Sequence, residues 1–357
     1  MNTRATTLRV MLALVSLLGG ILLARALVRS EEHPAASVMQ AAALRLQRAE
    51  QAIAQARREQ GFPPDQESDP FSTGMIGLPS SPLTTTSGDI VAKRTSTHRA
   101  FAALTVRWFH ELGLHPGDRI AIGASGSFPA LLLAVLSACA ETGIEPVVIP
   151  SIGASSYGAN IPGYTNAEML ELLYRKGLLP FRAAALSPGG EGDRGVSAYF
   201  SLEPRTDLYE YALSLASRLG VRCIDEPDAA ANRAQRLAIY SQGAPIRLFV
   251  NIGGADPNFG NDAVSLRIRP GLVMPSAYSE KATGGLLGYF LGRGIPALQL
   301  LDIKSLALAH GIPVDGNPWG EIPPQILYFS RMPRWPLLAG LMLAAFALVA
   351  GWRREQS

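Results

Sequence analysis

Read for hydrophobic and polar positions, the 357-residue chain has an apolar run at each end and a long interior where short apolar runs alternate with amphipathic ones. The first run, Val10 to Ala24, follows Arg4 and Arg9 and precedes Arg25 and Arg29. Extended to Val28, with Arg25 snorkelling to the interface, it approaches the ~20 residues a bilayer span needs. Ala24-Arg25-Ala26 has the small-x-small form of a signal-peptide cleavage site, but the length of the run and the embedded arginine favour an uncleaved anchor. The last run, Trp335 to Trp352, contains no charge and carries tryptophan at both ends, as interface positions do. Two spans are therefore expected. Arg4, Arg9, Arg353 and Arg354 would place both termini in the cytoplasm, with Arg25, Arg29, Arg331 and Arg334 weakening the bias, and the interior outside it.

The interior begins with a predicted helix from Pro34 to Gln60, whose Met39, Ala42, Leu46, Ala49, Ile53 and Ala56 recur at spacings of three and four. This narrow seam suits either a stalk that self-associates or a helix lying on the following domain. Asp65 to Gly88 is dense in Pro, Gly, Ser and Thr and reads as a linker or covering loop. A helix is predicted over Ser96 to Leu112, then a strand over Arg119 to Ala124. Ser127 is placed to cap the next helix, with Pro129 in its first turn and Gly143 at its end, before a second strand ending at Ile149.

Downstream, Thr165-Asn166-Ala167-Glu168 has capping-box form, and Pro188 to Asp193 reads as a flexible loop. Helices over Thr206–Arg218 and Asp228–Gln242 alternate with strands over Val221–Ile224 and Ile246–Ile252. Val264 to Ile268 reads as an edge strand or hairpin arm. A helix over Gly284–Leu291, a strand over Ala297–Leu301 and a helix over Lys304–His310 follow. Alternating helices and short buried strands predict an α/β fold: an open, mainly parallel sheet with right-handed crossovers, flanked by an N-terminal and a C-terminal transmembrane helix. The expected organisation is an anchor over 1–30, a stalk and linker over 31–90, an extracytoplasmic α/β domain over 91–332, and a second span with a basic tail over 333–357.

Composition adds mainly exclusions. A net charge of +3, from 32 basic and 29 acidic residues, is too balanced for a nucleic-acid binder. An extracytoplasmic domain has no cytoplasmic ATP, and the chain carries no G-x-x-x-x-G-K-[ST]. Gly123, Gly126 and Phe128 break the dinucleotide fingerprint, and no spacing of His or Cys suggests a metal site, so no cofactor is expected. Cys139 and Cys223 read as free thiols.

In a parallel sheet, ligands bind beyond the carboxyl ends of the strands. The residues there are Ser125, Gly126 and Ser127 after one strand, and Ser151, Ser155, Ser156, Tyr157 and Asn160 after the next. Asn251, Gly253, Gly254, Asp256 and Asn258 attend the third, and Asp302 and Lys304 the last. Gly, Ser and Asn supply backbone N–H groups and neutral hydrogen bonds suited to a carboxylate or sugar-like ligand. Gly123-Ala124-Ser125-Gly126-Ser127 also invites a hydrolase reading, with Ser125 as nucleophile and Asp256 or Asp302 with His310 in the order Ser, acid, His. Ser127 stands where that motif has its last glycine, which favours the binding reading.

The phrases GASGSFPALLLAVLSACAETGIEPVVIPSIGASSYGANIPGYT, FVNIGGADPNFGND and IPALQLLDIKSLALAHGIP, between two terminal apolar helices, resemble the poly-γ-glutamate system protein family. The resemblance spans nearly the whole chain and rests on overall pattern. It implies a membrane-anchored accessory protein of poly-γ-glutamate capsule synthesis or export, whose partners are the membrane, the synthesis and export proteins, and an anionic polymer. It carries over no catalytic residue.

Overall fold

The computed structural model describes residues 3–197, 201–204, 206–260, 264–277 and 284–352. The chain divides into two compact units, one combining Met1–Pro34 with Leu327–Ser357 and the other comprising Ala35–Ile326. In the first, helix α1 (Thr3–Ala26) leads into strand β1 (Arg29–Glu32), which pairs antiparallel with Tyr328–Arg331. That strand leads into the C-terminal helix Trp335–Trp352, so the two helices run side by side in opposite directions. Their closest approach is at glycine: a Cβ on Gly20 would lie 2.7 Å from the Pro336 carbonyl oxygen and 3.2 Å from Gly340 Cα. Leu14, Val15, Leu18, Leu341, Met342 and Phe346 face outward on the pair. Over Thr6–Ala26, α1 is long and apolar enough to span a bilayer. The apolar part of the C-terminal helix, Trp335–Val349, is shorter than a span on its own, and Arg353 and Arg354 lie outside the described residues.

The second unit starts earlier than the sequence suggests. Helix α2 (Ala36–Glu59) is no stalk: its seam residues Met39, Ala42, Leu46, Ala49, Ile53 and Ala56 are all buried against the unit's own helices. Of the two readings of that seam, the helix lying on the following domain is the one the packing shows. Asp65 to Gly88 is a covering loop rather than a linker. Arg57 Nη1 donates to the carbonyls of Gly74 and Ile76, and Thr84–Thr86 pairs in parallel with Ala154–Ser155.

The predicted Ser96–Leu112 helix is two helices, α3 (Ile90–Ser96) and α4 (Ala100–Glu111), separated at Thr97–Arg99. Asp89 caps α3 by accepting from the N–H groups of Val91 and Ala92. Strand β2 (Arg119–Ala124), helix α5 (Pro129–Thr142) and strand β3 (Glu145–Pro150) follow, with Gly143 ending α5 in the left-handed region. Helix α6 (Asn166–Arg175) opens with the predicted capping box. Beyond it come α7 (Thr206–Leu219), α8 (Ala229–Tyr240), β4 (Ile246–Ile252), β5 (Gly271–Val273), α9 (Leu286–Leu291), β6 (Ala297–Leu300) and α10 (Ile303–Ala309). The run Val264–Ile268 contains a 3₁₀ turn; the edge strand is β5, a few residues later. Pro270-Gly271 resets the chain direction there, with Gly271 at φ +95°.

The sheet order is β5-β6-β4-β2-β3, parallel except for the edge strand β5. Bridges from Val148 to Ala183 and from Ser151 to Ser187 extend it through Ala185–Leu186 to Arg222–Cys223. Ala121, Phe249 and Ala297 point to a core shared with α8 and α9, where Phe249 stacks on Phe290 at 4.9 Å between centroids. Their neighbours Ile120, Ile122, Leu248 and Val250 point to the opposite face and are equally buried. Each strand is therefore covered on both sides, which is why these runs read as continuously apolar.

Candidate functional site

From β2 the chain proceeds to β3 on one side, whereas β4 joins β2 on the other. This reversal opens a crevice beyond the carboxyl ends of β2 and β4, the place where α/β sheets bind ligands. A pocket of about 460 Å³ lies there. Ser125, Ser127, Ser151, Gly153 and Ser155 contribute from the β2 and β3 ends, and Gly254, Ala255 and Asp256 from the β4 end. The remaining wall comes from Thr85–Asp89, Lys93, Phe128, Gly189–Glu191 and Leu301, with Ala92 beside Lys93.

Of the residues singled out from sequence, Ser125, Ser127, Ser151, Ser155, Gly254 and Asp256 line this pocket. Several of the others hold its backbone. Asn160 Nδ2 donates to the Leu78 carbonyl and Thr84 Oγ1, and its Oδ1 accepts from Leu78 N, so the side chain is a clamp on the covering loop. Asn251 Nδ2 donates to Gln299 Oε1 and the Gly253 carbonyl, joining β4 to β6. Ser156 donates its backbone N–H to Thr86, and Tyr157, at φ +61°, donates its own to Leu78. Gly126 and Gly253 are packing positions: a Cβ would fall 2.8 Å from the Gly153 carbonyl oxygen in the first case and 2.1 Å from Ser125 Oγ in the second. Ser127 does not cap α5, whose N-cap is Phe128; its Oγ accepts from the Ser155 N–H at 3.2 Å.

The Ser125, Asp302 and His310 triad is not assembled. Asp302 caps the start of α10 toward Ser305, while His310 ends that seven-residue helix, roughly 12 Å away at 1.5 Å per residue. His310 packs edge-on against Trp108. Ser125 Oγ instead accepts the Ser127 N–H at 3.2 Å.

The residue that sequence reasoning missed is Lys93. It projects from α3 and is 2% exposed, with Nζ donating to Ser155 Oγ at 2.6 Å and to the Ser127 carbonyl. The amine also stands 4.1 Å from the centre of the Phe128 ring. Among the described residues no carboxylate forms an ion pair with it, because Asp89 is taken by Lys304 at 2.5 Å. Burial pushes its pKa down to about 7, and Asp89 opposes this only in part. A faint signal was present: the chain holds only four lysines, so a lysine just ahead of the expected Ser96–Leu112 helix in an arginine-rich protein is a choice.

The Pro188–Asp193 loop is held firmly rather than left flexible. Asp193 accepts from Gly189 N and Asn232 Nδ2 and pairs with Arg236 Nη2 at 2.6 Å, with both ionic side chains fully buried. Gly192 N donates to Asp256 Oδ2 at 2.7 Å, tying the loop to the β4 end. Burial raises the Asp256 pKa, while this hydrogen bond and the nearby Glu191 and Asp193 act in opposite directions on it. Cys139 and Cys223 are both free. No family model, curated protein or solved structure matches the chain.

Proposed function

We propose that the chain is a membrane-anchored accessory protein of poly-γ-glutamate synthesis or export, with Ala35–Ile326 outside the cytoplasm receiving carboxylate-bearing polymer in the crevice between β2 and β4. The observation that carries the binding reading is Lys93: a buried amine with no ion-pair partner among the described residues, facing a pocket rich in Ser and Gly whose wall also carries Asp89, Glu191 and Asp256. An unpaired buried cation is costly, and a carboxylate ligand supplies the missing partner. The Ser155 hydroxyl beside it can donate to the same ligand, while the Ser127 carbonyl accepts from the amine.

The membrane assignment draws on α1 and on the apolar outer surface of the terminal helix pair. The glycine contact between Gly20 and Gly340 is how helices approach closely in lipid, which supports the C-terminal helix as a second span returning to the same side. Glutamate ligation needs ATP and belongs to cytoplasmic partners. Poly-γ-glutamate should bind the detergent-solubilised full-length protein, and Lys93→Met should weaken binding about 10-fold or more by removing a charge-assisted contact. Equal affinity of the two proteins in a titration would sink the binding reading. Deleting the gene should lower the amount or change the length of surface polymer, and tagging both termini should find them in the cytoplasm.

A further inference from the structure

The surroundings of Lys93 do more than hold a cation. A carbonyl oxygen can only accept, so the Ser127 carbonyl occupies an N–H of the amine. In its neutral form the amine keeps a lone pair, and the hydroxyl of Ser155 lies 2.6 Å from it. Phe128 covers one side of the nitrogen, and Ser155 is itself 5% exposed, so both groups are largely withdrawn from water. Gly88 closes over the pair. A Cβ at that position would fall 3.1 Å from both Lys93 Cε and Ser155 Oγ, and 2.3 Å from the Ser156 carbonyl oxygen.

We propose that Ser155 and Lys93 are a nucleophile and its general base, and that the pocket hydrolyses an amide or ester. The pair rests on geometry and stands apart from the carboxylate-binding reading above, since Lys93 pairs with a carboxylate only when protonated and serves as base only when neutral. Ser155 Oγ attacks the carbonyl carbon as its proton passes to Lys93 Nζ. The bond to the leaving amine or alcohol breaks, and the leaving group takes that proton, which leaves an acyl ester on Ser155. Lys93 then removes a proton from water, the hydroxide attacks the ester, and the acyl–oxygen bond breaks. Ser155 regains its proton from Lys93, and the products are a carboxylic acid and an amine or alcohol. Serine with a lysine base is an established alternative to the Ser-His-Asp arrangement.

A lysine serves as base only when neutral, and burial places that transition near neutrality. The other charged groups facing the pair are Asp89, itself held by Lys304, and Glu191 and Asp256 across the pocket wall. Asp89 acts upward on Lys93 and is outweighed by burial.

The test is a fluorophosphonate probe applied to the detergent-solubilised full-length protein, with the adduct located by peptide mass mapping. The adduct should fall on Ser155 and vanish in Ser155→Ala and Lys93→Met. In the wild-type chain its rate of formation should rise about 10-fold between pH 6 and 8, as a base with a pKa near 7 requires. No adduct, an adduct on another serine, or a flat pH profile overturns the pair, and none of these outcomes depends on whether a variant folds. Polymer binding by the wild-type chain is read in parallel. Binding without labelling sinks the pair and keeps the binding reading; labelling of Ser155 without binding does the reverse.

Discussion

Lys93, which lines the pocket, and Asp193, which holds a loop that lines it, are both 2% exposed, yet among the described residues only Asp193 has a counter-ion. Asp193 has Arg236, Asn232 and Gly189, so its charge fixes the loop that carries Gly189–Glu191. Lys93 has a hydroxyl, a carbonyl and an aromatic face, none of which neutralises it. The first arrangement is complete without a ligand. The second becomes complete only with an anion, or by giving up its proton, and that difference marks one as scaffold and the other as site.

The largest effect expected is at the paired charge. Asp193→Asn keeps the shape and tolerates the positive φ of 62°, but leaves Arg236 charged and buried. Unfolding in urea should show a loss of about 3–5 kcal/mol. A loss under about 1 kcal/mol would break the contrast, because the pair would then not hold the loop.

Lys93→Met should act in the opposite direction, stabilising the fold by on the order of 2 kcal/mol at pH 6. The sign follows from the direction of the shift. The folded pKa is depressed from 10.5 to about 7, so between those values the unfolded chain holds a proton that the folded one has released. Wild-type stability therefore gains from this group as pH rises from 7 to 10.5, and the advantage of the methionine variant shrinks over that window. Thermal unfolding across pH would expose a constant gap if the lysine were not depressed. If the proposed polymer binding holds, the same protonation should make affinity for poly-γ-glutamate fall about 10-fold from pH 6 to 8, roughly 1.4 kcal/mol, in a titration at constant salt.

The smallest effect calibrates the others. Thr165 closes a capping box with Glu168, whose carboxylate also pairs with Arg218 at the surface, so removing the Thr165 hydroxyl takes away a neutral cap and leaves no buried charge unpaired. Thr165→Ala should cost about 1 kcal/mol in urea unfolding and leave polymer binding as it was. A cost as large as that of Asp193→Asn would mean that charge is not what sets the buried pair apart.

Much of the fold was legible in the chain because its signals are local. The strand Ile246–Ile252 and the Thr165 capping box lie where apolar pattern and capping chemistry put them. Strand ends rich in Gly and Ser also located the crevice, since Ser125, Ser127, Ser155, Gly254 and Asp256 all reach it. Asn160 and Asn251 misled because an amide after a strand serves a ligand or a neighbouring backbone equally well, and only the covering loop and β6 decide between them. The heptad-like seam of α2 likewise fits a partner copy or the protein's own α4 and α5, and the fold chose the latter.

The amino-acid sequence by itself determined an α/β domain, an apolar N-terminal helix and a ligand edge beyond the strands, because each follows from periodicity and capping over a few residues. Tertiary structure alone decided which side chains meet at that edge. Lys93 leaves α3, about 30 residues before the first strand-end serine, and reaches Ser155 only because α3 packs over the β2 and β3 ends. Its missing counter-ion is equally a tertiary fact, since Asp89, four residues away, is turned toward Lys304. Burial and partnering, which set the charge and chemistry of a lysine, are properties of the packed chain that no local pattern encodes.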